Sequence, residues 1–501
     1  MTNNIIDTKE IILEFQSLCA KAGKILTREE YRKEKTLVTS TRIEKQWGTW
    51  KNFVTEAADQ IEITRKSIQK TIKSNKLVVS SVQEGSEINE EALQVLENYC
   101  KSNKAELVIL WGKQISRGAA FSPKVYSRIK NYLATEVIFL ADKSLLIKDF
   151  MLSISTKNPL ANLDKISTGY SSVITGNPKQ YMQILPYKQE DKPRIAYTTG
   201  TISKIDYNDS ISKQLDANYH TFGGILIENT NKETKMRNLI CKDGKIYDMD
   251  AVYTNELKME MTSTSAMVLG DMHFPEHDQD NLQMVIDKIK KLNPKVVVLH
   301  DIASWESVNH HEAKNYLDKA KNNPGTDTES LQTEYDAVLY YLKEFAKALP
   351  EQKIKIVHSN HDDFINKWLN EGEFIKDTNN AAFGAKLFIK YLEGKHILED
   401  AVNLPKNVEF LKPNSKFEVS GFQLGEHGDK GLSGSKANPK FFTKSFNKSV
   451  TAHTHSPMIF ENNVVTGTNS KLKLRYNQSG FTNWAHADVI IYNNGTCQIL
   501  F

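Results

Sequence analysis

Three short apolar runs in the C-terminal half each end abruptly at a histidine, aspartate or asparagine. Met267-Val268-Leu269 runs into Asp271, Val297-Val298-Leu299 into His300-Asp301, and Ile354-Lys355-Ile356-Val357 into His358 and Asn360. Between them lie stretches with helical periodicity over roughly residues 278–292 and 328–348. Strands that alternate with helices predict a largely parallel α/β sheet, with functional side chains at the carboxyl ends of its strands. Beyond residue 405 the strand signals come closer together, in FEVSGFQLGEHG, KSVTAHTH and HADVIIYNNGTCQILF. This predicts a second sheet packed against the first.

Five polar clusters stand at strand ends: Asp271-Met272-His273, His300-Asp301, Asn360-His361-Asp362, His427 within GEHGDKG, and His453-Thr454-His455. Twelve of the thirteen histidines follow Gly270, His220 being the exception. Singly, each cluster has an ordinary explanation. An Asp-x-His triplet arises by chance, and two histidines at i and i+2 can share one face of a surface strand. Five endings in one region, all with oxygen or imidazole donors, fit metal ligation better than packing. Carboxylate, amide oxygen and imidazole suit Mn²⁺, Fe, Zn²⁺ or Mg²⁺, and no cysteine accompanies them, which argues against a structural zinc site. Two cations about 3.5–4 Å apart can grip a phosphate and activate water near neutral pH. Such a pair needs a bridging anion, for which Asp301 is the candidate. His277, His310, His311, His358, His396 and His486 fall outside these clusters and are assigned structural or surface roles. His310-His311 could instead line a cleft, and Trp305 could offer a stacking platform, although core packing is its simpler role.

A chain of 501 residues predicts two or three domains. We expect a helical domain over 1–80, an α+β middle region over 81–260 and a catalytic domain over 261–501. Residues 8–75 read as mostly helical. Thr27-Arg28-Glu29-Glu30 is a capping-box pattern, a helix is expected from Ser40-Thr41 to Trp47, and Trp50, Phe53 and Val54 give the spacing of another after Gly48. The basic stretch 65–76, RKSIQKTIKSNK, could contact phosphates or be a solvated helical face. Residues 85–135 also read as helical, with one apolar run, Leu107–Leu110. Short strands follow over 150–255, with a hairpin turn at Lys242-Asp243-Gly244-Lys245. The middle region carries no chemical motif and could position substrate or join copies into a homo-oligomer.

No run of 18 or more apolar residues occurs, so no membrane span is expected. The first residues lack the pattern of a secretory signal. The four cysteines are widely spaced, and together these features predict a cytoplasmic protein. A net charge of +4 does not by itself demand a nucleic-acid partner.

In order and spacing the five clusters resemble the calcineurin-like metallophosphoesterase family, over roughly 265–490. The resemblance implies a two-sheet sandwich flanked by helices and two divalent metal ions, with Mn²⁺ the expected pair. It implies that Asp271, His273, Asp301 and His455 hold the first ion, and that Asp301, Asn360, His427 and His453 hold the second. His361 would be the unligated catalytic residue, steadying charge or protonating the leaving oxygen. This chain departs from the family pattern at His300, Ser359 and Ala452, where the family has glycine, and at Ser304, where it often has Asp or His. The 12–58 segment, with its TREEYR and WGTWKNF stretches, resembles a small helical repeat found beside homing endonucleases. The layout of the whole chain is similar to that of the DNA-degrading pre-early proteins of T5-like bacteriophages. These resemblances imply a metal-dependent DNase acting on host DNA in the bacterial cytoplasm. A phosphomonoesterase of proteins or nucleotides, and a DNA-binding scaffold without activity, are the alternatives.

Overall fold

A computed structural model describes residues 8–22, 25–58, 67–112, 121–139, 145–169, 172–205, 216–230, 234–260, 264–308, 330–474, 477 and 479–501. The chain is of mixed α/β class and forms two compact units. One comprises Met1–Pro159, Val173–Lys179 and Thr198–Thr234, and the other comprises Leu160–Ser172, Gln180–Tyr197 and Lys235–Phe501. Among the described residues no helix is long and apolar enough to cross a membrane.

The first unit begins with helices Thr8–Ala22, Arg28–Arg32, Ser40–Trp47 and Trp50–Ala58. Local chemistry sets their boundaries. The Thr27 hydroxyl accepts from the Glu30 amide while the Glu30 carboxylate accepts from the Thr27 amide, closing the predicted capping box. Gly48, at φ 78°, ends the third helix in a conformation that costs glycine little. Phe15, Tyr31 and Phe53 are fully buried, and their rings and that of Trp50 meet at centroid distances of 4.9–5.8 Å.

Two sequence expectations fail in this unit. Within the basic stretch, Gln69–Ile72 is a strand paired in parallel with Glu136–Phe139; residues 59–66 lie outside the described residues. The stretch 85–135 alternates between classes: helix Glu90–Asn103, strand Glu106–Gly112, helix Pro123–Ile129 and strand Leu133–Ala134. Leu107–Leu110 is the buried centre of its strand, which lies parallel to Lys76–Gln83. Partners distant in the chain impose extended structure on segments whose local pattern does not specify it.

The second unit carries the predicted alternation. Its six-stranded sheet has the order Val408–Phe410, Lys353–Ile356, Val296–Leu299, Ala266–Val268, Asp488–Ile491 and Cys497–Leu500. The first four are parallel, and the last two add antiparallel. Helices Gln279–Leu292 and Leu331–Ala348 share one apolar core with Met267, Val297, Leu299, Ile354 and Ile356. The segment HADVIIYNNGTCQILF therefore completes the first sheet, where a place in the second was expected. Its strands are buried almost throughout, which suits either sheet, and only the register Val268↔Val489 decides. Other late strands, Phe422–Gln423, Ser449–Thr451, Asn463–Val465 and Met458–Phe460, lie side by side with Met182–Leu185 in a different sheet. The Lys242–Lys245 hairpin is as predicted, with Asp243 and Gly244 at φ 52° and 65° between paired strands.

Candidate metal centre

Each of the five clusters sits where a strand stops. Asp271 and His273 follow Ala266–Val268, and Asp301 follows Val296–Leu299. Asn360 and His361 open helix Asn360–Asn370 after Lys353–Ile356. His427 follows Phe422–Gln423, and His453 and His455 follow Ser449–Thr451, the parallel neighbour of that strand. Two sheets thus deliver their strand ends to one place.

The structure brings all seven proposed ligands together. Donor atoms of Asp271, His273, Asp301 and His455 all lie within 4.8 Å of one another, as do those of Asp301, His427 and His453. Asp301 is common to both groups. Its Oδ2 lies 3.2 Å from His427 Nε2 and 3.8 Å from His273 Nε2. His455 Nε2 lies 3.1 Å from Asp271 Oδ2 and 3.0 Å from His273 Nε2. Asn360 Oδ1 faces both His427 Nε2, at 3.1 Å, and His453 Nδ1, at 3.0 Å. Such a buried Asp/His cluster can hold a divalent metal ion.

Unmet polar atoms support that fit. Oδ1 of Asp271 and Oδ1 of Asp301 are buried without a hydrogen-bond donor, Asp271 Oδ2 has only the His455 ring beside it, and His455 Nδ1 is unpartnered. Buried groups of this kind are costly unless something not made of protein satisfies them. Electrostatics point the same way. Burial alone would raise the Asp271 and Asp301 carboxyls. The imidazoles around them, His455 for the first and His361 and His427 for the second, outweigh it and hold both below the usual carboxylate range. Burial pushes His273 down to about 3, so its ring is neutral and its lone pair free. His427 goes the other way: burial would lower it, but Asp301 and Asp271 push it up to about 9.

A test of the centre follows. His427 has a higher pKa folded than unfolded, so in metal-free protein its contribution to stability is full below about pH 6.5 and disappears as pH rises through about 9. A cation bound there must displace that proton. Adding Mn²⁺ to weakly buffered, metal-free protein at pH 7.5 is expected to release about one proton from His427, and progressively less as pH rises past about 9. Metal uptake with no proton release at pH 7.5 would remove His427 from the ligand set.

His361 differs from the buried ligands. Its side chain keeps 15% exposure against 1% for Asp301, so a substrate can reach it. Its Nδ1 donates to the Ser304 carbonyl at 2.8 Å, which leaves Nε2, 3.8 Å from Asp301, as the atom able to gain or lose a proton. Ser304 serves a second ring as well, with Oγ 3.0 Å from His273 Nδ1. The loop after Ser304 is tied down by Glu334, whose carboxylate accepts from the Glu306 and Ser307 amides at 2.8 and 3.1 Å and from the Ser307 hydroxyl at 2.7 Å. Sequence reasoning missed Ser304 and Glu334 as orienting groups. Trp484, whose ring packs edge-on against His455 at 4.1 Å, was missed too. No local pattern marks any of them.

The departures from glycine have separate explanations. Ser359 sits at φ −121°, open to any residue, and forms a capping box with Asp362. Ala452 donates its amide to the His427 carbonyl at 2.7 Å. His300 is buried with its ring stacked 5.6 Å from that of His427. Left-handed backbone falls instead on His273, Asp301, His453 and His455, at φ 48°, 40°, 70° and 55°. Strain of this kind persists only where the surroundings impose it.

The remaining histidines are engaged elsewhere. His277 packs against Phe274 and Tyr341, and His358 pairs with Asp363 at 2.8 Å. His396 pairs with Asp362 at 3.1 Å, and His486 faces the Ser470 carbonyl at 2.9 Å. Trp305 is fully buried with Nε1 3.4 Å from Asp362, a core position that precludes stacking on a base. His310 and His311 lie outside the described residues.

This chain resembles a bacteriophage protein. It is 25% identical over 469 residues to Protein A1 of Escherichia phage T5, a match spanning 84% of this chain and 81% of that protein. No family model and no solved structure matches. The likeness supports a bacteriophage origin, and with the buried Asp/His cluster it gives support to an enzymatic role.

Proposed function

We propose that residues 261–501 form a calcineurin-like metallophosphoesterase domain, a two-sheet sandwich flanked by helices, that hydrolyses phosphodiesters in DNA with two divalent cations, Mn²⁺ by preference. The observation that carries this reading is the meeting of ligand atoms from four strand ends in two groups that share Asp301, with Asn360 from the fifth facing His427 and His453. Asp271, His273 and His455 complete the first ligand set, and Asn360, His427 and His453 the second. When bound, two cations supply the Lewis-acid charge and the activated water that in-line attack on phosphorus requires.

The chain's own groups do the rest. Asp301 keeps the two ligand sets at one fixed separation, and Ser304 orients His273 and His361. His361 Nε2 stabilises charge on the phosphoryl oxygens or hands a proton to the departing sugar oxygen. His361→Ala is expected to retain its metal and to lose about 10²–10⁴-fold in rate on DNA. The loss should be smaller on bis(p-nitrophenyl) phosphate, whose leaving group needs little protonation. Metal content measured beside the rate separates this role from ligation, because a collapse in stoichiometry would make His361 a ligand.

DNA is preferred over a phosphomonoester on context. The likeness to a phage protein, the layout shared with DNA-degrading phage proteins, and an N-terminal module resembling repeats beside homing endonucleases all favour it. The activity would then degrade host DNA in the bacterial cytoplasm, with residues 1–80 as a second DNA contact and 81–260 available to join copies. The deciding experiment offers the full chain linear DNA, circular DNA, a phosphoserine peptide and p-nitrophenyl phosphate, each in Mn²⁺ and in EDTA. Cleavage of DNA in Mn²⁺ alone is expected. Turnover of the monoesters with DNA left intact would overturn the reading.

A further inference from the structure

The segment joining His427 to His453 carries charge that the metal centre does not use. From Gly428 to Lys448 there are five lysines and one aspartate. Lys430 is spoken for, since its Nζ pairs with Asp363 Oδ2 at 2.6 Å. Asp363 belongs to the helix that begins with Asn360 and His361. That ion pair, and the 2.7 Å bond from the Ala452 amide to the His427 carbonyl, pin both ends of the segment beside the candidate centre.

From Lys430 the chain turns back on itself. Lys430 and Lys436 face each other across an isolated antiparallel bridge, closed by Gly431 N to Ser435 O at 2.6 Å and Ala437 N to Asp429 O at 2.8 Å. Helix Pro439–Ser445 follows, held by buried Phe442, with Lys440 and Lys444 four residues apart and so on one face. Their separation along the axis is about 6 Å, comparable to the step between phosphates on an extended strand. Lys436, Lys440 and Lys444 are all exposed, and among the described residues none pairs with a carboxylate. Lys440 instead lies over the Phe460 ring at 4.7 Å. Acidic side chains three or four residues away can pair with lysines on a helix, and no such position around Lys440 or Lys444 holds Asp or Glu.

We infer that Lys436, Lys440 and Lys444 form a rail that holds the phosphate backbone of a nucleic-acid strand leading to the metal centre. The inference rests on the phosphodiesterase reading for what happens at the centre, but the binding it describes needs no metal. The rail selects polymer over small ester: a mononucleotide reaches at most one of the three cations, whereas a strand engages all of them and releases counterions from each phosphate it places.

Binding of the full chain to a fluorescent DNA duplex, measured in EDTA across a series of salt concentrations, tests it directly. The Lys436→Ala/Lys440→Ala/Lys444→Ala variant is expected to bind more weakly. Its slope of log K against log salt should be shallower by roughly 0.9 for each phosphate no longer neutralised. In Mn²⁺, the ratio of DNA cleavage to bis(p-nitrophenyl) phosphate hydrolysis should fall about tenfold or more. The corresponding triple Arg variant should restore both, since guanidinium keeps the charge, and this separates removal of charge from damage to the fold. An unchanged salt slope and unchanged ratio in the Ala variant would overturn the rail while leaving the centre as proposed. A shallower slope in a protein that hydrolyses none of the esters would sustain the rail and overturn the phosphodiesterase reading.

Discussion

Asp301→Asn is expected to fold like the parent and to lose metal-dependent hydrolysis by about 100-fold or more. The exchange keeps the shape of the side chain and removes the one carboxylate common to both ligand groups. Asp301 is fully buried, and burial opposes its charge. Without a cation, His361, His427 and His273 more than offset that cost, so the neutral amide also removes stability that the pairing with His427 contributes near neutral pH. The thermal midpoint in EDTA should therefore fall near neutral pH and come closer to the parent's as pH rises through about 9, where His427 is neutral in both, while metal stoichiometry in equilibrium dialysis falls. His427 also loses its strongest reason to stay protonated, so proton release on adding Mn²⁺ should shrink. Full activity in this variant would sink the proposed bridge. A drop in midpoint without metal that is as large at pH 10 as at pH 7 would make Asp301 a structural residue first.

Gly467→Ala should be the most damaging small change in the second unit. A Cβ on Gly467 would stand 1.9 Å from the Ala485 carbonyl oxygen and 2.8 Å from the Ala487 amide nitrogen. Both obstacles are backbone and cannot rotate away. The same residue accepts the Asp271 amide at 3.2 Å and donates to the Ala487 carbonyl at 2.8 Å. A Cβ on Gly270 would meet the Gly467 carbonyl group at 2.7 Å, so two chain segments pass here with no room for a methyl. Overpacking of this kind costs about 3 kcal/mol, or roughly 5 °C in thermal midpoint for a unit of this size. Replacing glycine by alanine in an unconstrained position would stabilise slightly through the unfolded chain, so the sign of the shift in a calorimetric scan decides. Because the displaced segment carries Asp271, metal affinity should fall together with stability.

The parts of this structure that were legible in sequence share one property: their signal is local. Thr27 and Glu30 satisfy each other three residues apart, and Gly48 ends a helix by its own conformation. An apolar run that stops at Asp301 or Asn360 declares a strand end without reference to the rest of the chain. What was not legible depends on partners far away. Gln69–Ile72 is extended because Glu136–Phe139 lies beside it, and its own lysine-rich sequence gives no sign of that. Ser304 looks like a weak point against the family pattern, yet its carbonyl and hydroxyl hold two imidazoles. Glu334 is one of several acidic residues on a long helix until the loop at 306–307 folds onto it. Close backbone approach near the ligands occurs at Gly270 and Gly467, one of which lies in a segment without ligands.

The central strand Ala266–Val268 finds one neighbour about thirty residues later and the other only at Asp488–Ile491, where Asp488 Oδ1 also accepts the Gly270 amide at 3.1 Å and the Asn469 side-chain amide at 3.0 Å. On the ribosome, a nascent chain that has just passed His455 already owns every proposed ligand but not the strand that steadies the backbone before Asp271. The backbone before the first ligand cluster is thus held by a segment that follows all the other ligands in the chain, so a change confined to Asp488–Ile491 should disturb Asp271 without touching any ligand.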